Sequence, residues 1–137
     1  MPVADEPTLE GLVARSREAM ARAYAPYSRF RVGAALLAAD GRVFEGCNVE
    51  NASFPVSLCA ERAALGAAVS AGAREFVAVA IATEADQPTP PCGMCRQALA
   101  EFAPALAVVS VTAGDQARWS LQELLPSAFT PAWLDRT

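Results

Sequence analysis

Three cysteines and one glutamate are the residues of this chain whose types and spacing could do chemistry. Cys59 and Glu61 stand in a Cys-Ala-Glu run, and Cys92 and Cys95 stand in a Pro-Cys-Gly-Met-Cys run. The sequence has no histidine, so a zinc site must be built from thiolates. Three protein ligands leave the fourth tetrahedral position open, which is typical of a catalytic zinc ion. The motifs therefore predict one Zn²⁺ per subunit, bound by Cys59, Cys92 and Cys95.

Glu61 is predicted to carry protons at that site. Zinc lowers the pKa of water towards about 7, and a carboxylate that alternates between base and acid can move the protons of that water. A glutamate motif followed by Pro-Cys-x-x-Cys, with three cysteines permitted as ligands, is the signature of zinc-dependent nucleobase deaminases. The predicted reaction is the attack of water on a ring carbon that bears an amino group.

Two arginines adjoin the motifs, Arg62 after Glu61 and Arg96 after Cys95. Zinc with three thiolates has a formal charge of −1, and it is a weak Lewis acid unless charge is withdrawn from the sulfurs. Hydrogen bonds from outer residues tune such ligands. We predict this role for Arg62 first and for Arg96 second. The alternative for both is a solvated side chain or a structural ion pair.

Each motif alone has a simpler explanation. A single Cys-x-x-Cys can be redox-active or structural, and Cys47 could close the site as a fourth ligand. Cys47 falls in a predicted strand, which favours a buried small residue instead. A thioredoxin-like site would place its Cys-x-x-Cys after the first strand of a βαβ unit, not late in the chain. The two motifs together favour a catalytic metal site.

Composition narrows the class of protein. A length of 137 residues, 53% of them hydrophobic, predicts one globular domain over residues 1–137. A net charge of −4 without any Lys/Arg-rich stretch argues against a nucleic-acid partner. No apolar run is long enough to span a bilayer, and the N-terminus lacks the features of a secretory signal. Four cysteines in such a chain predict reduced thiols and a cytoplasmic location.

The elements that must position these residues follow from periodicity and turn residues. Thr8 is predicted to cap the first helix, Asp40-Gly41 to join a hairpin, and Gly72 to end the second helix. Helices are predicted over residues 8–24, 59–71 and 92–102, and strands over 30–38, 42–49, 76–83 and 106–112.

The predicted order is helix, two strands, then two helix–strand pairs and a short fifth strand. The connection after residue 112 is too short for a parallel crossover, so the fifth strand should be antiparallel to the fourth. This predicts a three-layer α/β/α sandwich with a mixed five-stranded sheet. Each cysteine motif then begins a helix, where the helix dipole and free N–H groups favour thiolates.

Taken together, the motifs resemble those of the homotetrameric zinc-dependent cytidine deaminases that act on free nucleosides. The likeness extends from Tyr24 to about Leu134. It depends on five runs of sequence, at residues 27–35 (YSRFRVGAA), 46–53 (GCNVENAS), 59–62 (CAER), 91–97 (PCGMCRQ) and 124–129 (LLPSAF).

The resemblance implies a cytidine deaminase-like fold and the hydrolytic deamination of cytidine and 2′-deoxycytidine in pyrimidine salvage. It implies that Asn48 and Glu50 bind the ribose hydroxyls, that Phe30 stacks on the base and that the Ala60 backbone contacts the pyrimidine ring. By themselves, Asn48 and Glu50 also fit a turn residue and a surface acid, and Phe30 fits a core position.

A homotetramer is also implied, packed through the small residues of the helix after Cys-Ala-Glu, although these equally fit a buried helix in a monomer. Residues from Ala52 to Phe54, together with Phe129, would complete a neighbouring subunit's pocket, although Phe129 also fits simple C-terminal packing. The family often has tyrosine where this chain has Phe54, which puts one polar contact between subunits in doubt.

Three other functions stay open at this stage. A deaminase of another cytosine-containing small molecule, such as the antibiotic blasticidin S, shares the zinc motifs, whereas Asn48, Glu50 and Phe129 favour a nucleoside. A polynucleotide deaminase is disfavoured by the net charge. A zinc-bound structural module or an inactive relative is disfavoured by the intact Glu61.

Overall fold

A five-stranded mixed sheet organises the chain, and the computed structural model describes residues 5–134. The strands are β1 (Val32–Ala38), β2 (Val43–Cys47), β3 (Phe76–Thr83), β4 (Ala107–Val111) and β5 (Gln116–Ser120). Their order across the sheet is β2-β1-β3-β4-β5. β3 and β4 are parallel, and all other neighbours are antiparallel, including β4 and β5 as predicted.

Helices cover both faces of this sheet. They are α1 (Glu6–Met20), α2 (Ala60–Ser70), α3 (Gly93–Ala100) and the short α4 (Leu121–Leu124), with 3₁₀ turns at Phe54–Val56 and Pro131–Leu134. Side chains alternate between faces along a strand, so α1 packs on one set of strand residues, while α2 and α3 pack on the other. The predicted three-layer sandwich is confirmed. No helix within residues 5–134 has the length and apolar character needed to cross a membrane.

The first helix begins and ends earlier than the sequence pattern predicts. Asp5, not Thr8, is the N-cap, and its carboxylate accepts a hydrogen bond of 2.9 Å from the Thr8 backbone amide. At the other end, the Tyr24 amide donates to the Asn48 carbonyl at 2.9 Å, and the Glu50 amide donates to the Tyr24 carbonyl at 2.8 Å. This pairing draws the segment after Met20 away from helical geometry, although its composition suits a helix.

The other elements follow the predictions closely. β3 has the predicted bounds, while α2, α3, β1, β2 and β4 are each shorter than predicted by one or two residues at one end or both. Gly41 in the hairpin and Gly72 after α2 both have φ of +94°, a conformation that glycine adopts at little cost. The predicted hairpin turn and helix end are therefore confirmed.

Gly46 allows α2 to lie directly on the edge strand β2. A Cβ atom at this position would stand 2.4 Å from both the Ala60 carbonyl oxygen and the Ala64 amide nitrogen. Only a residue without a side chain permits such an approach of two backbones. The contact involves the first turn of α2, which begins directly after Cys59, so it helps to set the position of the cysteine and of Glu61.

Candidate metal centre and active site

The two cysteine motifs meet at the N-termini of two helices. Cys59 is the N-cap of α2, Cys92 is the N-cap of α3, and Cys95 lies in the first turn of α3. The loop that follows β3 leads into α3, so this helix begins at the end of the sheet where β3 ends and β1 begins, with Val32 paired to Thr83. Cys59 and Cys92, which are 33 positions apart in sequence, are thereby brought together at one end of the strands.

The cysteine sulfurs form a cluster that fits a tetrahedral metal ion. The three Sγ atoms lie within 4.8 Å of one another, and those of Cys59 and Cys92 are 3.8 Å apart. Two thiolates bound tetrahedrally to zinc at about 2.3 Å would be about 3.8 Å apart. Cys47 lies on β2, outside this cluster. It was predicted to be buried, but it is half-buried, and its thiol donates to the Arg22 carbonyl at 3.6 Å. Within residues 5–134, no fourth cysteine closes the site.

The electrostatics of the cluster favour a thiolate at Cys59. A hydrogen bond from Cys95 and another from Arg62 lower the pKa of the Cys59 thiol to about 5, despite partial burial. The same hydrogen bond from Cys95, together with burial, raises the pKa of Cys95. A metal ion bound here would displace the proton of the Cys95 thiol, because metal-binding cysteines must be deprotonated. The donor set is the soft, anionic set that suits zinc.

The two arginines differ in what they contact. Arg62 places its Nη2 atom 3.6 Å from the Sγ atom of Cys59. Arg96 instead donates from Nε to the Pro91 carbonyl and from Nη1 to the Leu124 carbonyl, each at 2.7 Å. Arg96, the second arginine predicted to donate to a ligand sulfur, therefore binds main-chain carbonyl groups instead.

Glu61 lies in the first turn of α2 and is only 5% exposed. Burial raises the pKa of its carboxyl group to about 7, and the negative charge of Cys59 acts in the same direction. A carboxyl group with a pKa near 7 is present in both protonation states at neutral pH. It can therefore act as either general base or general acid.

A cavity of about 310 Å³ opens beside Glu61 and the cysteines. It brings together seven of the predicted site residues, which are Phe30, Asn48, Glu50, Cys59, Ala60, Glu61 and Cys92. The sequence motifs missed the other lining residues, which are Val32, Ser57, Leu58, Ile81, Thr83, Thr89 and Pro90. Two of them could have been found from their places in the predicted strands, since Val32 begins β1 and Thr83 ends β3 at the end of the strands that holds the site.

Asn48 and Glu50 are held in place at this cavity by hydrogen bonds. The Asn48 side chain accepts from the Val32 amide at 2.9 Å and donates to the Phe30 carbonyl at 2.8 Å. Glu50 accepts from the Tyr27 and Ser28 amides at 2.9 and 3.1 Å, and from the Ser28 hydroxyl. The bonds from Ser28 hold the pKa of the Glu50 carboxyl below its usual range. Glu50 is therefore ionised and oriented at neutral pH.

Three of the predicted substrate-binding residues lie outside the lining of this cavity. Ala52, Phe54 and Phe129 are exposed on the single chain, Phe54 by 72% and Phe129 by 59%. Phe54 packs edge-to-face on Tyr27, with ring centroids 6.3 Å apart, in an adjacent cavity that shares Glu50. The Phe129 carbonyl accepts a hydrogen bond of 2.8 Å from Gln97. One chain alone does not bring these three residues to the site.

Comparison with known proteins gives the family. Residues 7–111 match the cytidine and deoxycytidylate deaminase zinc-binding region. A cytidine deaminase from Halalkalibacterium halodurans is 49% identical over 121 residues, covering 87% of this chain and 92% of the relative. The chain belongs to the cytidine deaminase family. The matched residues 7–111 include all three cysteines and Glu61. Because the matched family region binds zinc, zinc is the metal that the cysteine cluster of this chain can hold.

Solved structures agree with this assignment. The crystal structure of a cytidine deaminase from Burkholderia pseudomallei superposes with a TM-score of 0.85 at 48% identity, covering 88% of this chain and 98% of that one. A cytidine deaminase from Mycobacterium tuberculosis gives a TM-score of 0.78 at 42% identity, covering 88% and 96%. The predicted cytidine deaminase-like fold is confirmed, and the protein is an enzyme of this hydrolase family.

Proposed function

We propose that the chain converts cytidine and 2′-deoxycytidine to uridine and 2′-deoxyuridine, with release of ammonia, in pyrimidine salvage. One observation carries the proposal. A single cavity holds a buried carboxyl group with a pKa of about 7, Glu61, beside the thiolate cluster, and it also holds the polar pair Asn48 and Glu50. The names of the relatives support cytidine as the substrate.

The apolar part of the cavity suits a flat pyrimidine ring. Phe30, Val32 and Ile81 line it, and an aromatic ring can stack on the base. Asn48 binds the Phe30 carbonyl, so the residue proposed to bind ribose also holds the residue proposed to stack on the base. The backbone of Ala60, at the start of α2, is proposed to contact the polar edge of the ring.

Asn48 and Glu50 keep hydrogen-bonding capacity for a sugar. An amide oxygen can accept two hydrogen bonds and an amide nitrogen can donate two, while each of these Asn48 atoms makes one within the chain. The ionised Glu50 carboxylate accepts from hydroxyl groups strongly. Asn48 and Glu50 are proposed to bind the ribose hydroxyls. Because 2′-deoxycytidine lacks the 2′-hydroxyl, it would make one of these contacts fewer.

Glu61 is proposed to move every proton of the reaction. Its carboxylate takes a proton from the attacking water and passes it to the ring nitrogen N3. It then takes the second proton of that water to the leaving amino group, which departs as ammonia as the carbonyl forms. Zinc, when bound by the three thiolates, supplies a Lewis acid that lowers the pKa of water. Arg62 donates to the Cys59 sulfur and offsets the negative charge of the cluster.

We further propose that the active form is a homotetramer in the cytoplasm, each subunit being one catalytic domain. Large apolar side chains, among them Phe54, Val56, Met94 and Phe129, are exposed on the single chain, and exposed apolar patches mark interaction sites. Gly66 and Ala67 are also exposed on α2, and small residues permit close approach of helices. Phe54 would contribute a ring without the hydroxyl of the tyrosine common at this position.

The experiment is ultraviolet-monitored turnover of cytidine by purified protein loaded with zinc, beside the Glu61→Gln variant. The parent is expected to produce uridine. The variant is expected to retain zinc and the fold but to lose turnover by about 10²–10⁴-fold, since general acid–base catalysis contributes that much. A folded, zinc-loaded parent that leaves cytidine unchanged would overturn the proposal. Near-normal turnover by Glu61→Gln would remove Glu61 from its role.

A further inference from the structure

The segment Thr89-Pro90-Pro91 leads into the metal ligand Cys92 and forms part of the cavity wall, through Thr89 and Pro90. Proline has no backbone N–H group. Two consecutive prolines therefore leave this segment with few donors, and its position must be set largely by what its carbonyl groups accept.

Ser110 binds the first of these carbonyls. Its hydroxyl donates to the Thr89 carbonyl at 2.7 Å. Ser110 is fully buried in β4, directly across from Ile81 of β3. A hydroxyl placed inside a sheet that is otherwise packed with aliphatic side chains costs free energy unless it is bonded. Its bond here goes to the loop above the sheet, not to a neighbouring strand.

Arg96 binds the carbonyl at the other end of the segment, that of Pro91. Its Nε atom donates to the Pro91 carbonyl at 2.7 Å, one residue before Cys92. Its Nη1 atom donates at 2.7 Å to the carbonyl of Leu124, the last residue of α4. The rigid, planar guanidinium therefore joins the loop to the end of another helix.

We propose that Ser110 and Arg96 are positioning residues for Cys92. By holding the Thr89 and Pro91 carbonyls, they fix the Cys92 sulfur relative to Cys59, together with the adjacent cavity wall. The inference rests on the proposed zinc-dependent function, because it assigns both residues to the geometry of that site. Neither residue touches the substrate cavity or a sulfur in the described contacts; they act through the loop.

The test measures the rate at which zinc passes from the folded protein to a chromophoric chelator in excess. Ser110→Ala and Arg96→Lys are compared with two matched controls. Ser16→Ala removes an equally buried hydroxyl that donates to the Val13 carbonyl at 2.7 Å in α1. Arg74→Lys alters an arginine that donates to the Val69 and Ala73 carbonyls at 2.9 Å. Urea denaturation of every variant shows how far each loses stability.

Ser110→Ala and Arg96→Lys are expected to release zinc about tenfold faster than the parent, since changes in residues that orient metal ligands cost 10–100-fold in affinity. The controls are expected to release zinc at the parent rate. Equal rates for Ser110→Ala and Ser16→Ala, and for Arg96→Lys and Arg74→Lys, would overturn the inference. If Ser110→Ala does not fold, Ser110→Cys fills the position with a slightly larger group that is a weaker donor. A zinc-loaded parent inactive on cytidine would overturn the proposed function, while the release rates still decide this inference.

Discussion

Arg62 reaches back one turn along α2 and places its Nη2 atom 3.6 Å from the Sγ atom of Cys59. The hydrogen bond to Cys59 raises the pKa of the Arg62 guanidinium above its usual value. Its Nε atom is buried and has no hydrogen-bond partner within residues 5–134. A buried donor without a partner costs free energy, so this side chain is held at the cluster at some expense to stability. The arrangement supports the proposed role of Arg62, which is to offset the negative charge of the thiolates.

Replacing Arg62 by Gln should therefore weaken zinc binding or turnover. The glutamine lacks the positive charge and leaves the thiolates more electron-rich, and we expect a loss of about 10–100-fold in zinc affinity or in kcat. Chelator competition measures the first and the cytidine assay measures the second. Arg118→Gln, which removes a surface ion pair to Glu6, is the control. Unchanged zinc affinity and kcat in Arg62→Gln would show that Arg62 is only structural.

Gly46→Ala should displace the start of α2. The added Cβ would meet two backbone atoms of α2 at 2.4 Å, and backbone cannot move aside as a flexible side chain can. Overpacking of this kind costs about 1–3 kcal/mol, which urea denaturation would measure. Gly11→Ala is the control, because nothing lies within 4 Å of the added carbon and alanine favours a helix by about 0.5–1 kcal/mol. A Gly46→Ala protein as stable as the parent would contradict the close approach.

Glu45 should make stability depend on pH in the acid range. Burial raises the pKa of its carboxyl, but hydrogen bonds and ion pairs from Arg15 and Arg22 outweigh burial and lower it below the usual 4.5. A lowered pKa in the folded state adds stability above the unfolded value, and this contribution is lost as pH falls through the folded value.

The matching measurement is the unfolding free energy of Glu45→Gln across pH 3 to 7. The variant should be less stable than the parent at pH 7, and the two curves should converge as the pH falls from 4.5 through the lowered pKa of Glu45 in the folded state. Glu101→Gln, at the exposed end of α3, serves as the control. A difference between Glu45→Gln and the parent that stays constant over the whole range would contradict the ion-pair explanation.

Phe129 should act on the site of a neighbouring subunit. It is exposed and lies outside the cavity lining of its own chain. Phe129→Ala alone should raise KM for cytidine, and Glu61→Gln alone should be inactive. When the two variants are unfolded and refolded together, a mixed assembly contains sites with both an intact Glu61 and an intact Phe129. Recovery of parent-like KM in part of the mixed sample is expected, whereas activity equal to Phe129→Ala diluted by the inactive partner would contradict shared sites.

Much of the fold could be predicted because the patterns are local. Phe76–Thr83 is a continuous apolar run between turn residues, and its bounds match the prediction. The short connection after β4 excludes a parallel return, so the direction of β5 follows from chain length alone. The end of α1 was missed, because the bridge between Tyr24 and Val49 overrides a helical composition.

The chemistry of the metal centre follows from the types of its residues and from their local spacing in the sequence. Cys92 and Cys95 are three positions apart, so a helix that begins at this motif brings both to its N-terminus, and the lack of histidine leaves sulfur as the ligand for zinc. The 3.8 Å between the Cys59 and Cys92 sulfurs has no such local origin. It results from two helices packed on one face of the sheet, as do the burial that raises the pKa of Glu61 and the bond from Ser110 to the loop. Such contacts join residues distant in sequence, and their geometry depends on the summed packing of the whole sheet and its helices.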